Sequence, residues 1–357
     1  MASSLREALA RLHIVEDAAA PCQWHDFAAL DWDALLTDSE SRHRRSSLFV
    51  RASLVRKGML QHYIMKKRFV DVLPDGFSVD LEDEEDLESL RCRLDTWHAS
   101  AKEQQEPFWV VKASNANCGC HVFVARTPSE VIDRVREPVL EGVVEWVVQR
   151  YVAPPELLRG RKFHIRAHML LSGCPQCGTT RAWLHREYHV ALLASEQFSP
   201  QSEDHHTHIT NACFQEHHPQ FVKDDQTFMV GELDAMMGRV GLAEHLQARM
   251  ESALSKALEA ASLGQAGFAT LPHCFELFGA DFALENRGTS EPGVFLLEVN
   301  SGPSLAVFGP RLRSQCVCLL EDVLRLAVEP HLEMAAPQAF VQAANCRCAR
   351  ASDQSGF

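Results

Sequence analysis

The chain has 357 residues, of which 46% are hydrophobic, so it can bury an extended core and suits two or three domains better than one. Its formal net charge of −13 argues against general nucleic-acid binding, because nucleic acids bind positive surfaces. No apolar run approaches the roughly 18 residues of a membrane span, and residues 1–10 lack a signal-peptide pattern, so we expect a cytoplasmic protein with reduced cysteines and no membrane partner.

The first half of the chain combines basic, acidic and apolar patterns. Residues 1–50 mix short apolar runs with a basic stretch and are compatible with a small α/β domain. Apolar residues near helical spacing, surrounded by lysine and arginine, predict a basic amphipathic helix over 54–69. The acidic run 80–88 is typical of a solvated helix face or loop, and Thr127 to Glu130 form a helix start with a capping box. Strand patterns in this half occupy residues 108–112, 122–125 and 143–151.

The second half carries the clearest periodicities. Residues 163–171 alternate between polar and apolar, which predicts a strand with His164 and Arg166 on one face. Leucine and methionine recur every four residues over 244–263, which predicts a helix. Further strands are expected at 275–284 and 294–300, a last helix at 311–332, and a loose tail of alanine, glutamine and serine after residue 333.

Three oxygen-bearing side chains form the strongest candidate site. Asp281 lies in one predicted strand, and Glu298 and Asn300 lie two residues apart in the next, on one face. If the two strands pair as a hairpin, the three side chains converge, and hard oxygen donors of this kind suit Mg²⁺. The alternative is a strand-end salt bridge followed by a polar turn, and composition alone favours neither interpretation.

A second candidate set is cationic. Lys162 and Arg166 share a strand face, Lys112 ends another strand, and Arg186 lies in a third β-prone stretch. Several fixed cations on sheet faces suit a triphosphate, because guanidinium and ammonium groups neutralise phosphate oxygens. The loop 113–120 has a single glycine and is weak evidence for a phosphate cradle, and each cation alone is best interpreted as an exposed charge.

Cysteine and histidine clusters provide weaker signals. Cys174 and Cys177 have the spacing of a metal knuckle, and Cys346 and Cys348 form a second pair. The first pair is best interpreted as the tip of a hairpin and the second lies in the tail, so zinc is the less favoured alternative. The five histidines between residues 205 and 218 are best interpreted as solvated loop residues.

Six short segments carry a family pattern. They are 109–112, 147–151, 157–166, 208–211, 275–281 and 296–304. In this order and with these spacings they resemble the tubulin–tyrosine ligase family, over about residues 51–332. The resemblance implies an α+β, ATP-grasp fold in which two α+β lobes enclose ATP, with a small N-terminal α/β domain. It implies an N-terminal domain at 1–53, a central lobe at 54–153, a C-terminal lobe at 154–335 and a disordered tail at 336–357.

The resemblance also implies roles for the cations. Lys112 and Lys162 contact the phosphates of ATP. Arg56 stands where we place a family lysine that reaches the terminal phosphate. Arg166 and Arg186 serve the phosphates and the acceptor carboxylate, and with Glu298 they form the implied catalytic group.

Further roles implied by the resemblance concern the adenine, the acceptor side and the metal. Gln149, Arg150 and Tyr151 form the hinge strand beside the adenine; His208, Thr210 and Asn211 line the nucleotide and acceptor side; Asp281, Glu298 and Asn300 hold Mg²⁺.

The implied reaction adds a free amino acid to the acidic C-terminal tail of tubulin through an acyl phosphate, with ATP and Mg²⁺ as cofactors. The compact N-terminal segment and the lack of a long basic extension favour tyrosine as the added amino acid. A glutamate or glycine ligase of the same family is the alternative. Such a protein is expected in the cytoplasm, in association with the cytoskeleton.

Two departures from the family pattern stand out. His164, on the predicted nucleotide face, replaces an aspartate, and the loop after Lys112 is poor in glycine and carries Cys118 and Cys120. Both favour a competing hypothesis, a catalytically impaired protein that binds nucleotide and tubulin without modifying tubulin. The intact set of Asp281, Glu298 and Asn300 opposes that hypothesis.

Overall fold

The computed structural model describes residues 2–14, 16, 22–37, 44–100, 109–114, 116, 121–136, 145–174, 179–264, 267–328 and 340–347. Within these residues, helices cover two β-sheets, and a short parallel pair of strands lies near the N-terminus. The mixed α+β composition predicted from the sequence is therefore confirmed.

The N-terminal part combines helices with a small parallel ladder, as the sequence suggested. Its elements are α1 (Ala2–Arg11), β1 (Cys22–Gln23), α2 (Trp32–Leu36), β2 (Arg44–Arg45), α3 (Ala52–Val55) and α4 (Lys57–Lys67). The basic helix predicted over 54–69 is interrupted, because Arg56 has an extended backbone and separates α3 from α4. Leu60 and Ile64 of α4 are buried, in agreement with the apolar spacing.

A four-stranded antiparallel sheet follows. Its elements are β3 (Gly76–Asp80), α5 (Glu84–Ser100), β4 (Trp109–Ala113), β5 (Val122–Ala125), α6 (Pro128–Arg136) and β6 (Glu145–Arg150), and the strand order is β3-β6-β4-β5. Trp109 and Trp146 are fully buried between this sheet and helices α5 and α6. Helix α6 starts as predicted, since the Thr127 hydroxyl accepts a hydrogen bond from the Glu130 N–H at 3.2 Å.

The larger sheet has eight strands among the described residues. Its elements and the helices between them are β7 (Leu157–Leu158), β8 (Arg161–Gly173), β9 (Thr179–His185), β10 (Val190–Leu193), α7 (His205–His208), α8 (Ala212–Gln215), α9 (Lys223–Gln226), β11 (Thr227–Met229), α10 (Leu233–Met237), α11 (Leu242–Ala261), β12 (Phe275–Glu285), β13 (Gly293–Ser301), α12 (Arg313–Ala327) and β14 (Phe340–Arg347). The central order is β11-β10-β8-β12-β13, and β9 joins β8 to β14.

Strand β8 sits at the centre of this sheet and confirms the predicted alternation. Phe163 and Ile165 are buried in the core beneath α11. His164 and Arg166 project from the opposite face, because successive side chains of a strand alternate. The long central strand thus fixes two polar side chains on one surface with little freedom to move.

The two faces of the larger sheet are covered by different helices. Helix α11 confirms the four-residue repeat, and its Leu246, Met250 and Leu254 are buried against one face. Helix α12 covers the other face, and Ala8 of α1 is fully buried in the same apolar cluster. Helix α1 therefore packs in the same apolar cluster as helix α12.

The tail departs from the sequence-based expectation. We expected no regular structure after residue 333, but Phe340–Arg347 form β14, antiparallel to β9. The edge strand β9 offers unpaired backbone groups, which another strand can satisfy whatever its composition.

A candidate nucleotide and metal site between the two sheets

A cleft separates the two sheets, and both contribute to its walls. Val110, Val122 and Val124 form an apolar wall from the four-stranded sheet. The predicted site residues that line the cleft are Lys112, Gln149, Arg150, Tyr151, Lys162, His164, His208, Thr210, Asn211, Asp281 and Glu298. An apolar slot with a polar far wall has the shape and chemistry that a nucleotide base and its phosphates require.

The predicted acidic group converges, because β12 and β13 pair as an antiparallel hairpin that sets Asp281 opposite Glu298. Asn300 lies two residues further on the same face, and its Nδ2 donates to Glu298 Oε1 at 3.0 Å and to Asp281 Oδ2 at 3.4 Å. One amide therefore bridges the two carboxylates.

Asp281 is held by a buried arginine of the neighbouring strand. The β8–β12 register sets Arg166 directly opposite Asp281. Its Nε donates to Asp281 Oδ1, and its Nη2 donates to Asp281 Oδ2 at 2.8 Å. Burial alone would lower the pKa of Arg166, but the Asp281 charge raises it above its ordinary value. This paired fork gives the buried guanidinium two charge-assisted hydrogen bonds to one carboxylate.

Glu298 is held by Lys57, a residue that sequence reasoning missed. Lys57 Nζ lies 3.2 Å from Glu298 Oε2 and donates to the carbonyl of Ala116. Burial raises the pKa of Glu298, but the Lys57 ammonium, the Asn300 amide and further cations outweigh burial and lower this pKa to about 2.

Of these two neighbours, Lys57 is the one whose side chain contacts the acidic group. Arg56 is exposed at the break between α3 and α4, whereas Lys57 opens α4 and is buried. Lys57, Gln61 and Ile64 are all buried and share one helical face. That spacing is the signal that could have identified Lys57 from the sequence.

Lys112 lies in a chain of buried polar groups. Its Nζ donates to Gln149 Oε1 at 2.9 Å, Gln149 Nε2 donates to Gln61 Oε1 at 2.8 Å, and Gln61 Nε2 donates to the carbonyl of Gly76 at 2.9 Å. Burial lowers the pKa of Lys112 to about 8, against the opposing effect of the nearby carboxylates. The neighbouring Arg150 ends β6 with an exposed side chain.

Lys162 joins a second polar cluster at the cleft wall. Its Nζ donates to the Tyr151 hydroxyl at 2.8 Å and to the His208 carbonyl at 2.9 Å. The Tyr151 hydroxyl lies 3.0 Å from His208 Nδ1, and His208 Nε2 lies 3.1 Å from the Ser202 carbonyl. Burial lowers the pKa of His208 to about 4, so its neutral ring donates through Nε2 and accepts from Tyr151.

His164 lies in the cleft, next to the acidic group. Its Nδ1 is 2.7 Å from Thr210 Oγ1, and burial lowers its pKa. Its Nε2 is buried, has no hydrogen-bond partner among the described residues and lies 3.7 Å from Asp281 Oδ1. Asn211 lines the same wall and also caps α8, since its side chain accepts from the Cys213 N–H at 3.0 Å.

Some predicted residues are not brought to the cleft. Arg186 is exposed in the connection between β9 and β10 and is absent from the cleft walls. Cys174 is buried at the end of β8, while Cys177 and Cys348, and most of the loop after Lys112, lie outside the described residues. The choice between a turn and a zinc site there stays a prediction.

The residues present fit a divalent cation that also binds a nucleotide. Asp281, Glu298 and Asn300 offer carboxylate and amide oxygens at one point, which is the donor set that Mg²⁺ prefers. In the described part of the chain, no group of three His, Cys, Asp or Glu side chains could hold a metal ion. An ion bound here would therefore complete its shell with phosphate oxygens and water.

Comparisons with known proteins identify the family of the chain. The model of the tubulin-tyrosine ligase family matches residues 74–336, well over half of the chain. The chain is 32% identical over 190 residues to a probable tubulin polyglutamylase of Mus musculus, across 52% of this chain and 39% of that protein. It is 23% identical over 354 residues to a probable tubulin–tyrosine ligase of Schizosaccharomyces pombe, across 87% of this chain and 83% of that protein. The alignment thus spans about two fifths of the length of the polyglutamylase.

A solved structure identifies the fold. The C-terminal domain of Pby1 from K. lactis, an ATP-grasp enzyme, superposes with a TM-score of 0.65 at 22% sequence identity, over 96% of this chain and 95% of that one. The predicted ATP-grasp fold is therefore confirmed. Among the described helices, none has the length and apolar character that a membrane span requires.

Proposed function

This chain belongs to the tubulin-tyrosine ligase family, and we propose that it is an ATP- and Mg²⁺-dependent ligase that joins a free amino acid to a carboxylate of tubulin. The observation that carries the proposal is the convergence of Asp281, Glu298 and Asn300 at a cleft lined by Asp281, Glu298 and Lys112, with Lys57 paired to Glu298. The site thus combines lysine ammonium groups, which suit phosphates, with carboxylate and amide oxygens, which suit a metal ion.

The reaction that we propose has two steps. An acceptor carboxylate oxygen attacks the terminal phosphorus of ATP, the bond from that phosphorus to the bridging oxygen breaks, and ADP leaves with the bond electrons. The amine of the free amino acid then attacks the acyl carbon, phosphate leaves, and the nitrogen loses a proton to give the amide. ATP is consumed because formation of an amide from an ionised acid and an amine is uphill in water.

The chain's own residues stabilise the charge that moves in the first step. Lys112 and Lys162 are the proposed partners of the phosphate oxygens, and Lys57 that of the terminal phosphate. Mg²⁺, when bound, supplies positive charge that neutralises the phosphate oxygens. Arg166 and Glu298 are the catalytic residues in this proposal, because the Arg166–Asp281 fork and the Glu298–Asn300 contact hold the charged groups at the reacting phosphate.

Arg186 keeps its proposed role with the acceptor carboxylate. Its side chain is exposed beside β10, where an incoming tail can reach it. The tail of tubulin is acidic, so an exposed arginine suits it better than a buried one. A cytoplasmic, cytoskeleton-associated location follows from tubulin as the substrate and belongs to the same proposal.

Tyrosine remains the amino acid that we propose, and glutamate is the second candidate. The probable tubulin–tyrosine ligase of Schizosaccharomyces pombe aligns along 87% of this chain, which supports tyrosine. The probable polyglutamylase has the higher identity, 32%, over a shorter segment, which supports glutamate. Tubulin glycylases are also similar, at 24% identity, and keep glycine as a further alternative.

A ligation assay tests the proposal. The protein is incubated with ATP, Mg²⁺, detyrosinated tubulin and one amino acid at a time, and the tubulin tails are analysed by mass spectrometry. We expect the mass increase of one amino acid, with tyrosine the best substrate, and no increase with Glu298→Gln, which removes the charge but keeps the size of the side chain. Addition of glutamate alone would select the second candidate.

The same assay separates the enzyme from a binding protein. If ATP and tubulin both bind but no amino acid is added under any condition, the catalytically impaired alternative is correct. His164 is the feature that favours that outcome.

A further inference from the structure

A second cleft, of about 1000 Å³, lies between the N-terminal part of the chain and the larger sheet. Helix α1, the segment after β1, strand β12 and helix α12 contribute apolar side chains to it, among them Leu9, Trp24, Leu277 and Leu324. Trp24 packs edge-on against buried Phe275, with 5.5 Å between the ring centroids, so this wall is well supported. The volume is at the upper end of the range for small-molecule sites, so the second cleft exceeds the needs of one free amino acid and suits a peptide segment.

One end of the second cleft adjoins the acidic group. Residues 301–303 line the cleft and directly follow Asn300. A Cβ added at Gly279 would lie 2.8 Å from the Pro303 Cβ and 2.7 Å from the Arg166 Cδ, so Pro303 packs close to the arginine of the fork. Among the described residues, the second cleft and the nucleotide cleft have no lining residue in common. The two clefts therefore meet the β12–β13 hairpin at different places.

The geometry of phosphoryl transfer requires a second approach of this kind. The attacking oxygen and the leaving oxygen lie roughly in line on either side of the transferred phosphorus. A nucleotide that fills the cleft between the two sheets therefore blocks that cleft to the acceptor carboxylate. The second cleft offers a separate space that ends beside the acidic group.

Arg51 is a fixed cation in the second cleft. Its Nε lies 3.3 Å from Glu276 Oε1, and its Nη1 donates to Ser47 Oγ at 3.1 Å and to the Leu48 carbonyl at 2.6 Å. Its Cζ lies 4.8 Å from the centroid of the Phe27 ring. Nη2 makes no hydrogen bond within the part of the chain that the structure describes. A guanidinium held in this way can bind a carboxylate oxygen with little further loss of conformational entropy.

We propose that the second cleft binds the acceptor peptide, with Arg51 contacting one of its carboxylates and the apolar wall packing against its side-chain carbons. This inference rests on the proposed function and assigns a site to its acceptor substrate. Arg6, at the rim, already has a carboxylate partner, since its Nε lies 3.2 Å from Glu16 Oε1. Arg51 is therefore the cation of this cleft that we expect to recognise the peptide.

Photo-crosslinking of the full chain locates the peptide. The probe is a synthetic acidic peptide that ends in the free carboxylate of a detyrosinated tubulin tail and carries a benzophenone side chain near that end. It is irradiated with the protein, ADP and Mg²⁺, and the crosslinked residues are identified by mass spectrometry. We expect crosslinks on the wall of the second cleft, at residues such as Leu9, Trp24 and Leu277. A matched peptide with glutamine for glutamate and an amidated end should crosslink far less, because a label that binds through its apolar ring alone would not distinguish the two.

Two variants test the role of Arg51 without leaving a buried carboxylate unpaired. Glu276→Gln removes the carboxylate that competes for Arg51, so it should keep or lower the KM for the acceptor. The double variant Arg51→Gln, Glu276→Gln should raise this KM by about tenfold or more, the scale of one lost charge-assisted hydrogen bond. Its affinity for ADP should stay within about twofold of the wild type, because Arg51 lies outside the nucleotide cleft. A purely structural role of the pair would instead change the KM equally in both variants.

The outcomes separate this inference from the proposed function. Ligation by the wild type, with crosslinks only around Arg186 in the connection between β9 and β10, would overturn the inference and leave the ligase proposal intact. An increase in the KM for the free amino acid alone, in the double variant, would assign the cleft to that substrate instead. Crosslinks in the second cleft without any ligation would support the peptide site and contradict the proposed ligase activity. Absence of crosslinks to the second cleft, with the same KM in both variants, would reject the peptide site.

Discussion

Lys57 and Arg56 are neighbours in the chain, but their side chains have opposite surroundings. Lys57 is buried against Glu298, and Arg56 is exposed between two helices. We expect Lys57→Met to weaken ATP binding and to slow ligation by tenfold or more, on the order of one charge-assisted contact. Arg56→Met is the matched control and should remain within about twofold of the wild type in both assays. The opposite ranking, in calorimetry and in ligation rates, would restore Arg56 as the phosphate ligand.

Lys112 makes nucleotide binding dependent on pH. Burial lowers its pKa to about 8, so the free protein loses this positive charge as the pH rises through that value. The affinity for ADP should therefore be constant at lower pH and fall between about pH 7 and 9, because only the ammonium attracts phosphate.

Lys112→Arg provides the control for this pH effect. Arginine keeps its charge throughout this range, so the fall in affinity should disappear in the variant, even if its absolute affinity is lower. Calorimetric titration with ADP at a series of pH values measures both proteins. An identical fall in the variant would assign the pH effect to another group.

At the scale of elements, the parts of the fold that could be predicted are those with a strong local period. Helix α11 and the alternation of β8 are defined by repeats of four and two residues, and both match the structure closely. Strands β12 and β13 were predicted from two apolar runs around a turn, whereas their pairing and its register, which shifts between Asp281 and Phe282, are seen only in the structure.

The elements that could not be predicted depend on distant partners. Strand β14 exists through pairing with β9, about 160 residues earlier in the chain, and no local pattern reveals such a partner. The Arg166–Asp281 fork depends likewise on the β8–β12 register, which the sequence did not provide. The candidate site was therefore predictable as a set of residues, but the pairing of each carboxylate with a particular cation was not.

Gly279 links the strand packing to the site. A Cβ at this position would lie 2.7 Å from the Arg166 Cδ and 2.8 Å from the Pro303 Cβ, closer than side chains tolerate. Gly279→Ala should push Arg166 away from Asp281, lower the stability by about 1–3 kcal/mol and slow ligation.

Gly231→Ala is the control for this packing effect, because no atom lies within 4 Å of the added Cβ. It should change neither the melting temperature nor the ligation rate appreciably. The melting temperature and the ligation rate are measured for both variants and compared with those of the wild type. Equal melting temperatures for the two variants would show that the strands relax around the added methyl group of Gly279→Ala.

At the scale of the whole molecule, the cleft lies between two sheets that a nucleotide would hold together. Its apolar wall comes from the four-stranded sheet, and its carboxylates come from β12 and β13 of the larger one. We propose lobe boundaries at 54–153 and 154–335, which assign each wall to one lobe. The N-terminal residues 1–53 form the third proposed unit, although α1 packs on α12 and shares its core.

The charge arrangement of the free protein makes cation and nucleotide binding depend on each other. Without ligand, Asp281 is held by Arg166 and Glu298 by Lys57, so each carboxylate already has a positive partner. A divalent cation alone must compete with these partners, and a nucleotide alone meets the two carboxylates. When both bind, the phosphates attract the side-chain cations and leave the carboxylates to the metal, so each ligand removes the obstacle to the other.

We therefore predict strong positive coupling between the two ligands. Mn²⁺ should bind at least tenfold more tightly in the presence of saturating ADP, and by reciprocity ADP should gain the same factor from Mn²⁺. Calorimetry of each ligand with and without the other measures both factors. In Lys57→Met the carboxylate of Glu298 loses its competing cation, so Mn²⁺ alone should bind more tightly and the coupling should shrink. Equal Mn²⁺ affinity with and without ADP in the wild type would contradict this mechanism, because the side-chain cations would then present no obstacle to the metal.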